Sequence, residues 1–195
     1  LSTTFSMIWI MMLRDQGWWQ RDTDFVVERL AGMRSLLELF RSLTDERMLL
    51  SGLPGWSFVD WVVHDGWDTG YPPGAAFGCS GVCNLLMLLA LQSAIDIETS
   101  FGEQHFANSY RDWSDRLAIS IRETFWNDDR QLFADDPAHR YFSEHARCLA
   151  LLSGQFDERI AEPCFEALLT ADDLARTTVY FSFYLLETFY TYGRG

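Results

Sequence analysis

The sequence predicts an all-α single domain, residues 1–195, built from antiparallel helical hairpins arranged as part of an (α/α) toroid. Two observations carry this. Segments apolar on nearly every side alternate along the chain with amphipathic segments, as inner and outer helices of stacked hairpins do. No strict 34-residue period appears, which argues against a tetratricopeptide-type solenoid. A third observation concerns the joints. One connection, residues 44–76, is far longer than a hairpin turn, and loops of that length in a compact domain are usually functional.

The elements follow in order. Thr3 to Gln16 reads as a first, largely apolar helix, with Gly17 as its C-terminal cap. Asp22 or Thr23 can cap a second helix running to about Leu43. In it Val26, Leu30, Met33, Leu37 and Phe40 recur at spacings of four, three, four and three, one clean apolar face. Gly52, Gly55, Gly66, Gly70 and Gly74, with Pro54, Pro72 and Pro73, then punctuate the long loop. Within it, Trp56 to Trp61 can form a short strand with Trp56, Phe58 and Asp60 on one face. Phe77 to Thr99 returns to helix with Val82, Leu85, Leu86, Leu88, Leu89 and Leu91 and almost no polar face. Phe106, Tyr110, Trp113, Leu117, Ile121 and Phe125 stripe an amphipathic helix over Glu103 to Phe125. A polar, turn-rich stretch follows from Trp126 to His139. Tyr141 to Ser153 is a shorter helix ended by Gly154. Asp157 caps another segment, broken or restarted at Pro163, and Thr178 to Tyr192 is a last, aromatic-rich helix.

Composition limits the partners. Hydrophobic residues make up 48% and aromatics 15%, so the chain can bury a core. The formal net charge of −13 and a pI near 4.5 argue against nucleic acid or an anionic membrane as partner, since both would be repelled. Phe5 to Leu13 is apolar but too short to span a bilayer, and its flanks do not match a signal peptide. The abrupt start inside a helical pattern suggests a piece of a longer polypeptide. Cys79, Cys83, Cys148 and Cys164 lie in apolar helical stretches and read as reduced core thiols. No metal-ligand spacing and no phosphate loop appears, so no cofactor is expected.

The stretch Gly55 to Gly70 concentrates the side chains suited to a ligand: Trp56, Asp60, Trp61, Asp65 and Trp67, with His64 and Asp68. An indole face suits the C–H face of a sugar ring, and a carboxylate can accept two hydroxyls. Apolar walls with a few placed polar groups are what a small-molecule site needs. The same residues can instead fold their aromatics onto the core while the aspartates make turns. His145, at the start of a helix, can face a pocket or pair with backbone.

The order of several short motifs adds to this reading. A long amphipathic helix leads to Asp60-Trp61, then to a buried helix with Asn84. Phe125-Trp126-Asn127, Ser143-Glu144-His145-Ala146 and Tyr180-Phe181-Ser182-Phe183-Tyr184 follow. This order resembles the (α/α)6-barrel catalytic domain of the alpha-L-rhamnosidase family of glycoside hydrolases, over about the middle half of that barrel. The family has Gly-Asp-Trp where this chain has Val59-Asp60-Trp61. The resemblance implies an inverting glycosidase that removes terminal alpha-L-rhamnose, with Trp56, Asp60, Trp61, Asp65, Trp67 and His145 as substrate-binding candidates. Inversion needs an acid and a base ~6.5–9.5 Å apart. The family motifs holding them lie outside the matching region, so no catalytic residue is expected here. Thr44-Asp45-Glu46-Arg47 echoes the acid's surroundings but follows the wrong helix. Two other readings stand beside this one: another six-hairpin sugar enzyme, and a non-catalytic helical scaffold binding a glycan or protein. An incomplete ring would expose Phe181, Leu185 and Phe189 and favour self-association.

Overall fold

The computed structural model describes residues 2–76 and 78–193. Seven α-helices and one two-stranded hairpin are formed among them. Helix α1 (Thr3–Asp15) is capped by the Ser2 hydroxyl, which accepts from the Phe5 amide. It does not stop at a glycine cap. The chain passes into a π-helical turn over Gln16–Gln20, and Gly17 is buried where a Cβ would stand 2.9 Å from the Phe101 ring. The left-handed residue that ends the turn is Arg21.

Helix α2 (Thr23–Ser42) is capped as expected by Asp22, whose carboxylate accepts from the Phe25 amide at 3.1 Å. All five residues of its predicted stripe are buried. Helix α3 (Gly81–Phe101) starts later than the expected Phe77, which lies outside the described residues. It is long and apolar enough to cross a membrane, yet 83% of that apolar stretch is buried inside the protein. Helix α4 (Gln104–Phe125) buries Tyr110, Trp113, Leu117, Ile121 and Phe125. The polar stretch after it contains a small antiparallel hairpin, β1 (Trp126–Asn127) and β2 (Leu132–Phe133), with Trp126 opposite Phe133. Helix α5 (Glu144–Ser153) begins three residues later than expected because Ser143 is its cap. Helix α6 (Glu158–Thr170) runs unbroken through Pro163; a missing amide costs one bond there without ending the helix. Asp157 takes the cap position without a side-chain bond. Helix α7 (Ser182–Thr191) starts later than predicted, since residues 178–181 form turns.

Helices α1, α3, α5 and α7 pack in sequence as one layer. Helix α4 lies against α3, α6 against α5, and α2 against α1 and α3. The hairpin arrangement is the predicted one. The ends of the inner layer differ from the expectation. Helix α1 leaves Met12 exposed and Phe5 partly open. Just before α7, Phe181 is buried against His145, and on the helix Leu185 and Phe189 are half-buried. The exposed apolar stripe at this end is instead Val179, Phe183, Leu186 and Tyr190.

An ion pair ties the layers together. The Arg34 guanidinium of α2 donates through Nε and Nη2 to both oxygens of Glu98 on α3, each at 2.8 Å. Glu98 is buried and also accepts from the Glu103 amide at 2.9 Å. Arg34 lies over the Phe106 ring of α4, 3.9 Å from its centre.

Candidate functional site

Three long connections lead from an outer helix into an inner one: residues 43–80 into α3, 126–143 into α5 and 171–181 into α7. The inner helices therefore present their N-termini to these loops, and the loops interlock. The Gly81 amide donates to the Asp135 carbonyl at 2.8 Å, and the Glu144 amide donates to the Ala175 carbonyl at 3.0 Å. Thr3 and Thr4, at the start of α1, donate to the carbonyls of Pro54 and Phe58. The N-termini of all four inner helices thus meet one loop cluster.

Residues 56–61 do not form the expected strand. Ser57, Phe58, Val59 and Asp60 are buried in succession, without alternation. The backbone bonds of this stretch go to a turn and to a helix end, with the Val59 amide donating to the Gly70 carbonyl at 2.8 Å. Asn84 holds the loop from below. Its side chain accepts from the Leu50 amide at 2.8 Å and donates to the Leu50 carbonyl at 3.1 Å. Asp45 is occupied by its own turn, accepting from the Arg47 and Leu49 amides, so the Thr44-to-Arg47 echo of an acid motif is a loop brace.

Asp60 is one of the substrate-binding candidates in the sequence. It is turned inward, and its side chain is 0% exposed. Oδ2 accepts from His145 Nε2 at 2.8 Å and from the Thr178 amide at 2.7 Å. Oδ1 accepts from the Trp61 amide at 2.8 Å and from the Thr178 hydroxyl. Burial alone would push this carboxyl up; the donors from His145 and Thr178 outweigh it and hold Asp60 below the usual carboxylate range. His145 is fully buried with its Nδ1 unpartnered. Its ring is sandwiched between Trp67, at 4.6 Å, and Phe181, at 4.4 Å. Its partner is thus a carboxylate from a loop distant in sequence, and not local backbone. Beside it, Glu144 accepts from Arg176 at 2.6 Å and from the Thr177 amide at 2.7 Å. Beneath lie two wholly buried charges, Asp135 and Arg147. Burial moves the Asp135 carboxyl up and the Arg147 guanidinium down.

The surface above this layer is aromatic. Phe58 is a buried hub, with ring centres 5.0 Å from Trp56, 5.0 Å from Trp61, 5.1 Å from Tyr180 and 5.8 Å from Phe5. The four surrounding rings are open to solvent, Trp61 to 56% and Trp56 to 37%. Trp56 is fixed by its indole N–H, which donates to the Thr69 carbonyl at 3.1 Å. Asp65 is exposed on the same loop. Of the six sequence candidates, Trp56, Trp61 and Asp65 therefore face solvent, while Asp60, Trp67 and His145 form the layer below. Tyr180, Phe5 and Thr178 were missed as site residues. Tyr180 stands in one of the quoted motifs; Thr178, 118 residues from Asp60, had no local signal.

Among the described residues no group of three or more His, Cys, Asp or Glu could hold a metal ion. The four cysteines are free, and burial pushes the Cys83 and Cys148 thiols up to about 12, which leaves them unionised. A groove of about 330 Å³ lies between α4 and the α5–α6 turn, lined by Asp115, Ile119, Arg122 and Phe156, with no residue from the three long loops.

Paired helices with every long loop at one end define the fold, a layered set of helical hairpins that is also found in solved rhamnosidase structures. Over its whole length the chain is similar to part of a GH78 family rhamnosidase of Bacillus sp. GL1, with a TM-score of 0.87 at 18% identity. It is also similar to a rhamnosidase from Klebsiella oxytoca with rhamnose bound, with a TM-score of 0.82 at 16% identity over 99% of this chain. The chain spans 20% and 35% of those two proteins. At such identities the likeness is one of fold. No protein-family model and no curated protein sequence matches the chain.

Proposed function

We propose that this chain is the sugar-contacting part of the helical barrel of a rhamnosidase-like glycoside hydrolase. Its substrate is a glycan or glycoside ending in alpha-L-rhamnose, hydrolysed with inversion. The observation that carries the reading is the rim of open aromatic rings, Trp56, Trp61 and Tyr180, at the loop end of a rhamnosidase fold. Indole faces of this kind take the C–H face of a sugar, and Asp65 beside them offers an acceptor for its hydroxyls. The acid and base are supplied by parts of the whole protein beyond these residues. Three of the buried carboxylates agree with this: Asp60, Glu98 and Glu144 are committed to protein donors, so none of the three is free to protonate a leaving oxygen or activate water.

The test is an assay of the full-length protein on aryl alpha-L-rhamnosides, glucosides and glucuronides, with the product anomer followed by NMR. Hydrolysis of the rhamnoside with inversion is expected. Trp61→Ala should weaken rhamnoside binding about tenfold, or about 1.4 kcal/mol, with the fold retained. Cleavage of glucosides or glucuronides alone would identify another six-hairpin sugar enzyme. Rhamnose binding without any hydrolysis would identify a non-catalytic glycan-binding scaffold.

A further inference from the structure

We propose that Asp60, His145 and Thr178 form a latch that positions the aromatic rim without touching the sugar; this rests on the reading of the rim as a sugar site. Asp60 lies 85 residues from His145 and 118 from Thr178. Its one carboxylate joins the 43–80 loop, the first turn of α5 and the loop before α7. Two rim rings sit next to these anchor points in sequence. Trp61 follows Asp60 directly, and its own amide donates to the Asp60 carboxylate. Tyr180 is two residues beyond Thr178, whose amide and hydroxyl donate to the same carboxylate. Both rings lean on the Phe58 hub, at 5.0 and 5.1 Å. The span of the latch therefore sets the separation of Trp61 and Tyr180, the gap a sugar ring would enter. His145 supplies the third point, with its ring held between Trp67 and Phe181 so that Nε2 meets Oδ2.

The latch is not the only thing that keeps the loop folded. The 43–80 loop is also held by Asn84 at Leu50, by Thr4 at the Phe58 carbonyl and by the Val59–Gly70 bond. None of these bonds reaches Trp61 or Tyr180 directly. Cutting the latch should thus leave the domain folded and let the rim relax.

The experiment is a double-mutant cycle in the full-length protein with rhamnose as probe, read by calorimetry and normalised to folded protein. Asp60→Asn places an amide N–H against the donors of His145 or Thr178, and Thr178→Val removes one donor while keeping the bulk. Each is expected to weaken rhamnose binding at least fivefold. Combining either with Trp61→Ala should weaken it no further than Trp61→Ala alone, since the latch acts by spacing that ring from Tyr180. Independent, multiplying effects would overturn the proposal, as would unchanged affinity in both latch variants. Hydrogen exchange at the Trp61 and Thr178 amides is measured in parallel, and both should exchange faster in Asp60→Asn. If wild-type protein binds no rhamnose, the sugar reading fails and exchange alone decides the latch. Unchanged exchange at both amides would then reject it.

Discussion

Asp60 draws four donors onto one enclosed carboxylate, and the charge on that group is tied to stability. Its pKa lies below the ordinary value of about 3.9. The stabilisation it contributes is complete above that value and is lost as pH falls through the lower, folded-state pKa. The charged and titratable groups around it are His145, Glu144 and Arg147 on α5, Asp135 before α5, and Arg176 and Tyr180 before α7. Asp60→Asn should lower stability at pH 7 by about 3 kcal/mol, because donors are left facing an amide in a closed site. For a chain of this length that is roughly 6–12 °C in Tm. The variant should also lose part of the wild-type decline in acid. Thermal melts across pH 2.5–7 check both; parallel curves would refute the assignment. The Arg34–Glu98 pair makes a second residue-scale case. Arg34→Ala strands a buried carboxylate and should cost about 3–5 kcal/mol by urea denaturation. Pairing it with Glu98→Leu should recover part of that loss, because the uncompensated charge is gone.

At the scale of an element, the 43–80 loop is shaped by one close approach. Gly70 has φ +81, and a Cβ there would stand 2.3 Å from the Phe58 ring. Gly70→Ala should push Phe58 aside and with it the rings that rest on it, costing about 1–3 kcal/mol and weakening rhamnose binding. Gly52, at φ +59, has open space instead, with nothing within 4 Å of where a Cβ would stand. Gly52→Ala should therefore cost only the left-handed strain of about 1–2 kcal/mol, with binding unchanged. Melts and calorimetry on the two variants separate a backbone effect from a packing effect. Equal binding losses in both would show that the Phe58 contact is not what matters.

Among the described residues one apolar face is uncovered. Val179, Phe183, Leu186 and Tyr190 stand at spacings of four, three and four along the α7 end and are all exposed. Faces of this kind tend to find partners, while a net charge of −13 opposes close approach of two copies. The 195-residue chain should therefore self-associate, more strongly as salt screens that charge. Phe183→Lys with Leu186→Lys should shift it towards monomer in sedimentation velocity. A wild-type chain that stays monomeric at high salt would refute this.

Local pattern was enough for the helices. Each amphipathic stripe is a periodicity that any helix must bury, so α2 and α4 follow from spacing alone. A cap such as Asp22 acts within three residues, on the scale where the sequence speaks directly. The alternation of apolar and amphipathic helices likewise determined the hairpin arrangement. The site was legible only in its ingredients. A cluster of Trp, Asp and His marks a stretch that can hold a sugar, but the direction of each side chain depends on partners far along the chain. Asp60 reads as a free sugar acceptor until Thr178 and His145 are brought to it. Phe181 reads as exposed until it packs against His145. Trp56 and Trp61 stay outside because Phe58 takes the buried place between them. Tertiary structure decided these points because a carboxylate or a ring is buried or open according to what packs against it, and that packing is formed by residues 85 and 118 positions away.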